Sequence, residues 1–351
     1  HHHTIWKRAQ WEHRGEGFIF RSFIICRLLF APIAPFFLFD LKKMIKQFDP
    51  DIIHVHMPNL SAFWLLLVGR QLAKPVIVHW HADVIASRQN ILLSFAYWFY
   101  RPLEQLLLKR ADAVIVTSAN YLKSSVPLRK WQGKCHIIPL GLDTLKVGSR
   151  GQINDTSERQ LWKVESRLKV LCVGRLTYYK GQEFLIKAVS GLDNVELILV
   201  GQGKKLASFR KLINRLGCED NVKIFGHAET QELAALMNSC DCLCLPSIER
   251  TEAFGLVLLE AMQDAKPCIC TDVEGSGMSW VVQHEKTGLV VNAADSSALR
   301  DGILKLANNR ELARQYGEAG HDRFRNEFSL DKVAGEIVSL YNRVVQSHLN
   351  N

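Results

Sequence analysis

Glu252 and Glu260 stand in RTEAFGLVLLEAM (250–262) with seven residues between them, and from Ala253 onward the run is otherwise apolar. A carboxylate inside an apolar helix is costly unless it is paired. The two hydroxyls of a ribose would pair Glu260 without adding charge. DCLCLP reads as a strand ending at Pro246, SIERTEAF as a loop, and a helix is predicted to start near Phe254 or Gly255. The first turn of such a helix offers free N–H groups and the positive end of its dipole, which suits a diphosphate. Gly255 would let that backbone approach a ligand closely. Glu252, just before the turn, is placed to accept hydrogen bonds from sugar hydroxyls. The alternative is an ordinary helix with one exposed Glu. Upstream, VGRLTYYKGQEFL (173–185) puts Arg175 and Lys180 in the turn between a strand and a helix. Two cations beside a helix N-terminus make a second phosphate site, and they would stabilise a departing diphosphate without a divalent metal. VGQGKK (200–205) departs from the phosphate-loop spacings and reads as a tight structural turn.

The first half carries two H-x-H pairs, His54/His56 and His79/His81, each ending a strand-like run. Strand alternation puts both members of a pair on one face. The pairs could combine on a metal, and a metal-dependent hydrolase is a rival reading, although Asp83 is the only nearby acidic candidate. The preferred reading has no metal. It makes His81 the functional histidine, with Asp83 near it, and treats His54 and His79 as buried, satisfied side chains. The serine-hydrolase pattern G-x-S-x-G is absent, and GSGMSW (275–280) does not match it. Cys240, Cys242 and Cys244 alternate, as do Cys268 and Cys270. Strand spacing points each set to one face, where they read as small buried hydrophobes in a reducing compartment.

The elements that must hold these residues form two series of strand-then-helix units. DIIHVH (51–56), PVIVHWH (75–81), ADAVIVTS (111–118) and CHIIPLGLD (135–143) supply the first, with helices after 56 and over 90–109. KVLCVGR (169–175), VELILVGQG (195–203), NVKIFG (221–226), DCLCLPS (241–247), PCICT (267–271) and GLVV (288–291) supply the second. Continuous apolar strands alternating with helices predict parallel sheets covered on both faces. The fold class is α/β, with two tandem Rossmann-like, doubly wound domains facing across a cleft. Ligands of such sheets bind beyond the strands' C-terminal ends. The expected divisions are an N-terminal domain, 1–148; a polar linker, 149–167; a C-terminal domain, 168–328; and a last helix, 329–351.

The 351 residues carry a formal charge of +9. Residues 1–150 hold 20 Lys+Arg and 9 Asp+Glu, a balance of +11, and the remainder holds 24 and 26, a balance of −2. A basic first half suggests an anionic partner such as nucleic acid, a phosphorylated substrate or lipid headgroups. GFIFRSFIICRLLFAPIAPFFLF (17–39) is interrupted by Arg21, Arg27, Pro32 and Pro35. It therefore reads as a buried strand and helix, or as a surface touching a bilayer, rather than a membrane span. The start lacks a secretory signal pattern.

Together these residues resemble the retaining family 4 glycosyltransferases of the GT-B fold, most closely bacterial enzymes that build surface polysaccharide such as lipopolysaccharide, several of them mannosyltransferases. The resemblance rests on VGRLTYYKG, LILVGQGKK, NVKIFGH, PSIERTEAFGLVLLEAM and TGLVV, with HVHMPN, HWHAD and PLGLD in the first half. It implies a hexosyltransferase that moves a sugar, by guess mannose from GDP-mannose, to a glycan or lipid-linked acceptor. Arg175 and Lys180 would hold the donor diphosphate. Glu252 and the backbone of Phe254, Gly255 and Leu256 would bind the sugar and distal phosphate, Glu260 the ribose, and His81 would face the sugar from the other domain. The catalytic set is then His81, Glu252, Arg175 and Lys180. No metal and no cofactor is implied beyond the nucleotide sugar as co-substrate. Attack would come from the leaving group's face, with the leaving phosphate helping to take the acceptor proton. The last helix would cross back to the first domain. The expected location is cytoplasmic, peripheral on the inner face of the membrane, with anionic lipid rather than nucleic acid as the partner of the basic half. A nucleotide-sugar epimerase or a phosphorylase of the same fold is the alternative. Two features depart from the family. EGSGMSW (274–280) stands where a Gly-Gly-x-x-Glu segment is common, and no glycine-rich first strand is evident before residue 50, so the chain is expected to begin part-way into its first domain.

Overall fold

The computed structural model describes residues 10–15, 17–28, 31–68, 74–84, 91–143, 161–165 and 167–350. Its contacts group into two units. One comprises His1–Val116, Ser125–Ile137 and Val338–Asn351, the other Thr117–Ser124 and Ile138–Ile337.

The first unit is built on a four-stranded parallel sheet, order β5-β6-β7-β8, of Ile53–Met57, Val76–Trp80, Ala113–Val116 and Cys135–Ile137. Val76 to Val78 and Ala113 to Val116 are at most 1% exposed, which is why these strands read as unbroken apolar runs. The helix α2, Ile91–Arg110, follows β6. The helix expected after β5 is instead a 3-10 turn, Leu60–Leu66, started by Asn59, whose side chain accepts from Ser61 N at 2.9 Å. Before β5 lie two short antiparallel hairpins, Gln10–Arg14 with Gly17–Arg21 (β1, β2) and Cys26–Leu28 with Ala31–Ile33 (β3, β4), then helix α1, Phe37–Phe48. No helix among the described residues is long and apolar enough to cross a membrane.

The second unit is a six-stranded parallel sheet with the order β11-β10-β9-β12-β13-β14. The strands in chain order are Leu168–Val173 (β9), Val195–Val200 (β10), Val222–Gly226 (β11), Cys242–Leu245 (β12), Cys268–Asp272 (β13) and Gly288–Asn292 (β14). The sequence order reverses between β9 and β12, and such a switch point leaves a crevice at the strand ends. After a short helix, Ala119–Ser124 (α3), this unit adds Gln182–Val189 (α4), Leu206–Leu216 (α5), Thr230–Ser239 (α6), Leu256–Gln263 (α7), Met278–Val281 (α8), Ser296–Asn308 (α9) and Arg310–Arg323 (α10). The last helix, Leu330–Leu349 (α11), gives its start to this unit and its residues from Val338 to the first.

Alternate strand residues feed two apolar clusters, one on each face of the sheet. Val170, Leu197, Cys242 and Cys244 enter one; Leu171, Ile198, Leu243, Leu245, Cys268 and Cys270 enter the other. All five of the alternating cysteines are buried and free. Cys240 precedes β12 and falls in the cluster of Cys268, not with Cys242 and Cys244, so the first set is not one face. Most of the expected linker lies outside the described residues. Its end packs into the second unit: Trp162 is 4% exposed and donates through Nε1 to Ser239 Oγ at 2.9 Å. The buried carboxylate of Glu196 accepts from Lys163 N at 2.9 Å, so this charge within an apolar strand is met by peptide donors.

Candidate active site

The C-terminal ends of β9 and β12 flank the switch point, and each runs into a loop and then a helix. β9 leads through Arg175 to a short 3-10 turn, Tyr178–Lys180, and then α4. β12 leads through 246–255 to α7. The two loops are pinned together: Ile248 N donates to Tyr179 O at 2.8 Å, and the Tyr178 hydroxyl donates to Glu249. The pinning brings Lys180 Nζ onto Glu252 Oε2 as an ion pair, with both side chains 13% exposed. Ser247 Oγ donates to the same carboxylate oxygen at 3.3 Å. Arg175 is exposed at the end of β9, its carbonyl accepting from Gln182 Nε2 at 3.1 Å.

Gly255 caps α7 with φ 84° and ψ 61°, and no side chain caps that terminus. The backbone at φ 84° requires glycine, and a Cβ there would lie 2.9 Å from Leu245 Cδ2 and from Leu258 Cδ1, so both methyl ends would have to shift. Leu258 N already bonds to Gly255 O at 2.9 Å, whereas the amides of Leu256 and Val257 have no acceptor within the helix. Phe254 is buried at 4%, which anchors the turn, while Leu256 is 43% exposed. Glu260 sits one turn beyond Leu256 on that side of α7 and is half-buried. The carboxylate is partly open to solvent because the side of the helix that begins at Leu256 faces outward.

VGQGKK is a structural turn: a Cβ at Gly201 would lie 2.0 Å from Gly174 O, and that close approach ties the end of β10 to the end of β9. EGSGMSW, to which sequence reasoning gave no role, clamps the Glu252 loop. Ser276 Oγ donates to Glu252 O, and Gly277 N donates to Ala253 O at 2.8 Å. Neither Ser247 nor Ser276 stood out in sequence, because a lone serine carries no spacing signal. Arg250 was also missed. Its guanidinium lies 4.7 Å over the Tyr121 ring, and Nη1 donates to Ser124 O at 3.2 Å.

In the first unit His56 and His79 are register partners on β5 and β6, which places all four histidines on one sheet face. Their rings stack, His54 on His56 at 4.7 Å and 10°, His56 on His81 at 5.1 Å and 8°, His79 on His81 at 4.3 Å and 17°. Burial, then the other histidines, pushes the His79 pKa down to about 3. Burial, then His56, brings His54 and His81 down to about 4. His56 Nδ1 and His81 Nε2 share a hydrogen bond of 2.8 Å, and His54 Nδ1 pairs with the Tyr341 hydroxyl. His79 is buried as expected but not satisfied, and His54 is only part-buried: neither ring nitrogen of His79, nor Nε2 of His54, has a hydrogen-bond partner among the described residues. Asp83 accepts from Trp80 Nε1 and Ser125 Oγ, each at 2.8 Å, so it braces the turn after β6. His54, His56 and His79 offer ring nitrogens within 4.8 Å of one another. A shared ion needs in-plane lone pairs that converge, and near-parallel stacked rings aim them side by side. The rings would have to turn before they could chelate.

Comparison with known proteins supplies the family. A model described as "Glycosyl transferases group 1" matches residues 154–323, and one described as "Glycosyltransferase Family 4" matches residues 2–145. An O-antigen chain mannosyltransferase C of Escherichia coli is 32% identical over 317 residues, covering 90% of this chain and 81% of its own. The chain belongs to the family 4 glycosyltransferases. It is therefore a hexosyltransferase with the GT-B fold. A D-rhamnosyltransferase, WbpZ, of Pseudomonas aeruginosa is 32% identical over 82% of this chain and 73% of its own. Among solved structures, the sucrose-phosphate synthase of Thermosynechococcus elongatus aligns with a TM-score of 0.73 at 24% identity, covering 89% of this chain and 78% of its own. Anabaena HepE, in complex with UDP, also aligns at 0.73, with 20% identity and 88% and 82% coverage.

Proposed function

We propose that this family 4 enzyme is a retaining transferase that takes mannose from GDP-mannose and passes it to a glycan or lipid-linked glycan acceptor in surface-polysaccharide synthesis. The observation that carries the reading is the Lys180–Glu252 pair beside the uncapped N-terminus of α7, at the reversal of strand order. The sugar rests on the mannosyltransferase named among the relatives; the diphosphate rests on the site itself.

In this reading the donor's arrival exchanges partners. Lys180 leaves Glu252 for the diphosphate, with Arg175 and the amides at Gly255 to Val257 as the other donors. Glu252, held by Ser247, then accepts from the sugar hydroxyls, and Glu260 accepts from the ribose diol. The acceptor oxygen bonds to C1 on the face from which the C1–O bond to phosphate breaks. The acceptor proton passes to a leaving phosphate oxygen, and cations with helix amides stabilise the charge that develops there. His81 is proposed as the first unit's catalytic residue. The basic first half is proposed to keep the enzyme peripheral at an anionic membrane on the cytoplasmic side.

The test is a thermal-stabilisation screen of GDP-, UDP- and ADP-sugars, since a ligand at 100 times its Kd adds about 2.7 kcal/mol. GDP-mannose should stabilise most, with EDTA present, and should yield a transferred mannoside once acceptor is added. A larger shift with UDP-sugars would overturn the donor. Conversion to a free isomer or sugar phosphate, without acceptor transfer, would overturn the reaction.

A further inference from the structure

The first unit carries an apolar face that its core does not use. α2 turns Glu104, Leu107 and Leu108 inward, all at 0% exposure. Its other side presents Phe95, Trp98, Phe99 and Leu106, exposed by 63%, 70%, 55% and 51%. Residues spaced i, i+3, i+4 and i+11 fall on one helical stripe, where a surface helix normally carries polar groups. α1 repeats the pattern: Phe36 and Phe39 are 54% and 68% exposed and are followed by exposed Lys42 and Lys43. Both helices pack against the 3-10 turn over Leu60–Leu66, so α1 and α2 belong to one layer of the unit.

Charge and shape supply independent observations. A 480 Å³ groove along α2 is lined by Trp98, by the cations Arg101, Arg129 and Lys130, and by no carboxylate. A 370 Å³ apolar pocket on the other flank shares Leu103 of α2 and is walled by Phe63, Trp64 and Leu67.

We infer that the α1–α2 layer is the docking surface for an anionic phospholipid bilayer. Trp and Phe rings rimmed by Lys and Arg are the composition that settles at the headgroup boundary. The rings enter that boundary, the groove cations take headgroup phosphates, and the apolar pocket receives acyl methylenes. A second copy of the chain fits poorly, because a symmetric interface would bring like cations face to face. This assignment rests on the peripheral-membrane reading above and gives it a surface, and it stands or falls separately from the donor site.

The experiment is co-sedimentation of the full chain with vesicles of phosphatidylcholine alone or mixed with phosphatidylglycerol, beside sedimentation velocity without lipid. The wild type should bind the mixed vesicles and run as a monomer. Arg129→Gln with Lys130→Gln should lower partitioning about 30-fold, at about 1 kcal/mol per charge. Trp98→Ser with Phe99→Ser should lower it at least about tenfold, the burial lost from two rings. Stabilisation by GDP, measured alongside, should be the same in the wild type and both variants. Equal binding to neutral and anionic vesicles, or binding unmoved by both variants, would overturn the assignment. So would a lipid-free dimer that Trp98→Ser/Phe99→Ser dissociates. Absence of GDP stabilisation in the wild type would count against the donor reading alone.

Discussion

Replacing Lys180 by Met and Glu252 by Leu, singly and together, separates what the ion pair does for stability from what it does for catalysis. Both side chains are only 13% exposed, so removing one partner strands a largely desolvated charge. Breaking a buried pair costs about 3–5 kcal/mol, whereas replacing both members by apolar groups is often neutral or stabilising. Ser247 still donates to Glu252 at 3.3 Å, which places Lys180→Met toward the low end. We expect each single variant to lose about 3 kcal/mol and the double variant to return to within about 1 kcal/mol of the wild type, a coupling well above that of independent sites. Hydrogen exchange at the β9 and β12 amides reads this directly, because it reports opening of the second unit separately from the first. Transfer activity should fall about 100-fold or more in all three proteins if, as proposed, the pair sits where transition-state charge develops. A double variant as unstable as the sum of the singles, or one that keeps wild-type transfer, would refute the reasoning.

Other outcomes follow from the same geometry. Gly255→Ala should abolish GDP stabilisation, because the new methyl clashes at 2.9 Å with Leu245 and Leu258 on a backbone at φ 84°. Glu260→Ala should raise KM for the nucleotide sugar with kcat little changed, the mark of a ground-state contact. His79, 5% exposed with its pKa held near 3, binds fewer protons folded than unfolded below the unfolded value of 6.5. Its contribution is therefore fully present above pH 6.5 and falls as pH drops toward 3, by about 2 kcal/mol at pH 5. Denaturant titrations at pH 7 and pH 5 should show that loss shrinking in His79→Gln. Glu104, at 0% exposure, behaves oppositely: burial, then Asp83, raises its pKa to about 7. The stability linked to its proton is present below the unfolded value of 4.5 and is lost as pH rises through 7, so Glu104→Gln should gain stability at pH 8 by up to about 3 kcal/mol.

The second unit was legible because its signals are local. VELILV is apolar on both faces apart from Glu196 because both faces are covered, and the strands, turns and helix starts around Arg175, Lys180, Glu252 and Gly255 follow from such runs and their glycines. What escaped was set by tertiary contact. Nothing in the spacing of Lys180 and Glu252 says that they touch, because the contact depends on β9 and β12 being sheet neighbours. Ser276 clamps the Glu252 carbonyl from a loop after β13. The apolar composition around Glu260 does not say how far it is covered, and its side of the helix opens outward. In the first unit Leu60–Leu66 has a helical composition but forms a 3-10 turn, and His79 shows that a buried position does not guarantee a hydrogen-bond partner.

The most direct measurement is a crystal structure of the chain with GDP bound in the presence of EDTA. The account predicts diphosphate oxygens within about 3 Å of Lys180 Nζ and of the amides at Leu256 and Val257, with Glu252 released from Lys180. A diphosphate seated elsewhere, with the Lys180–Glu252 pair intact, would contradict it.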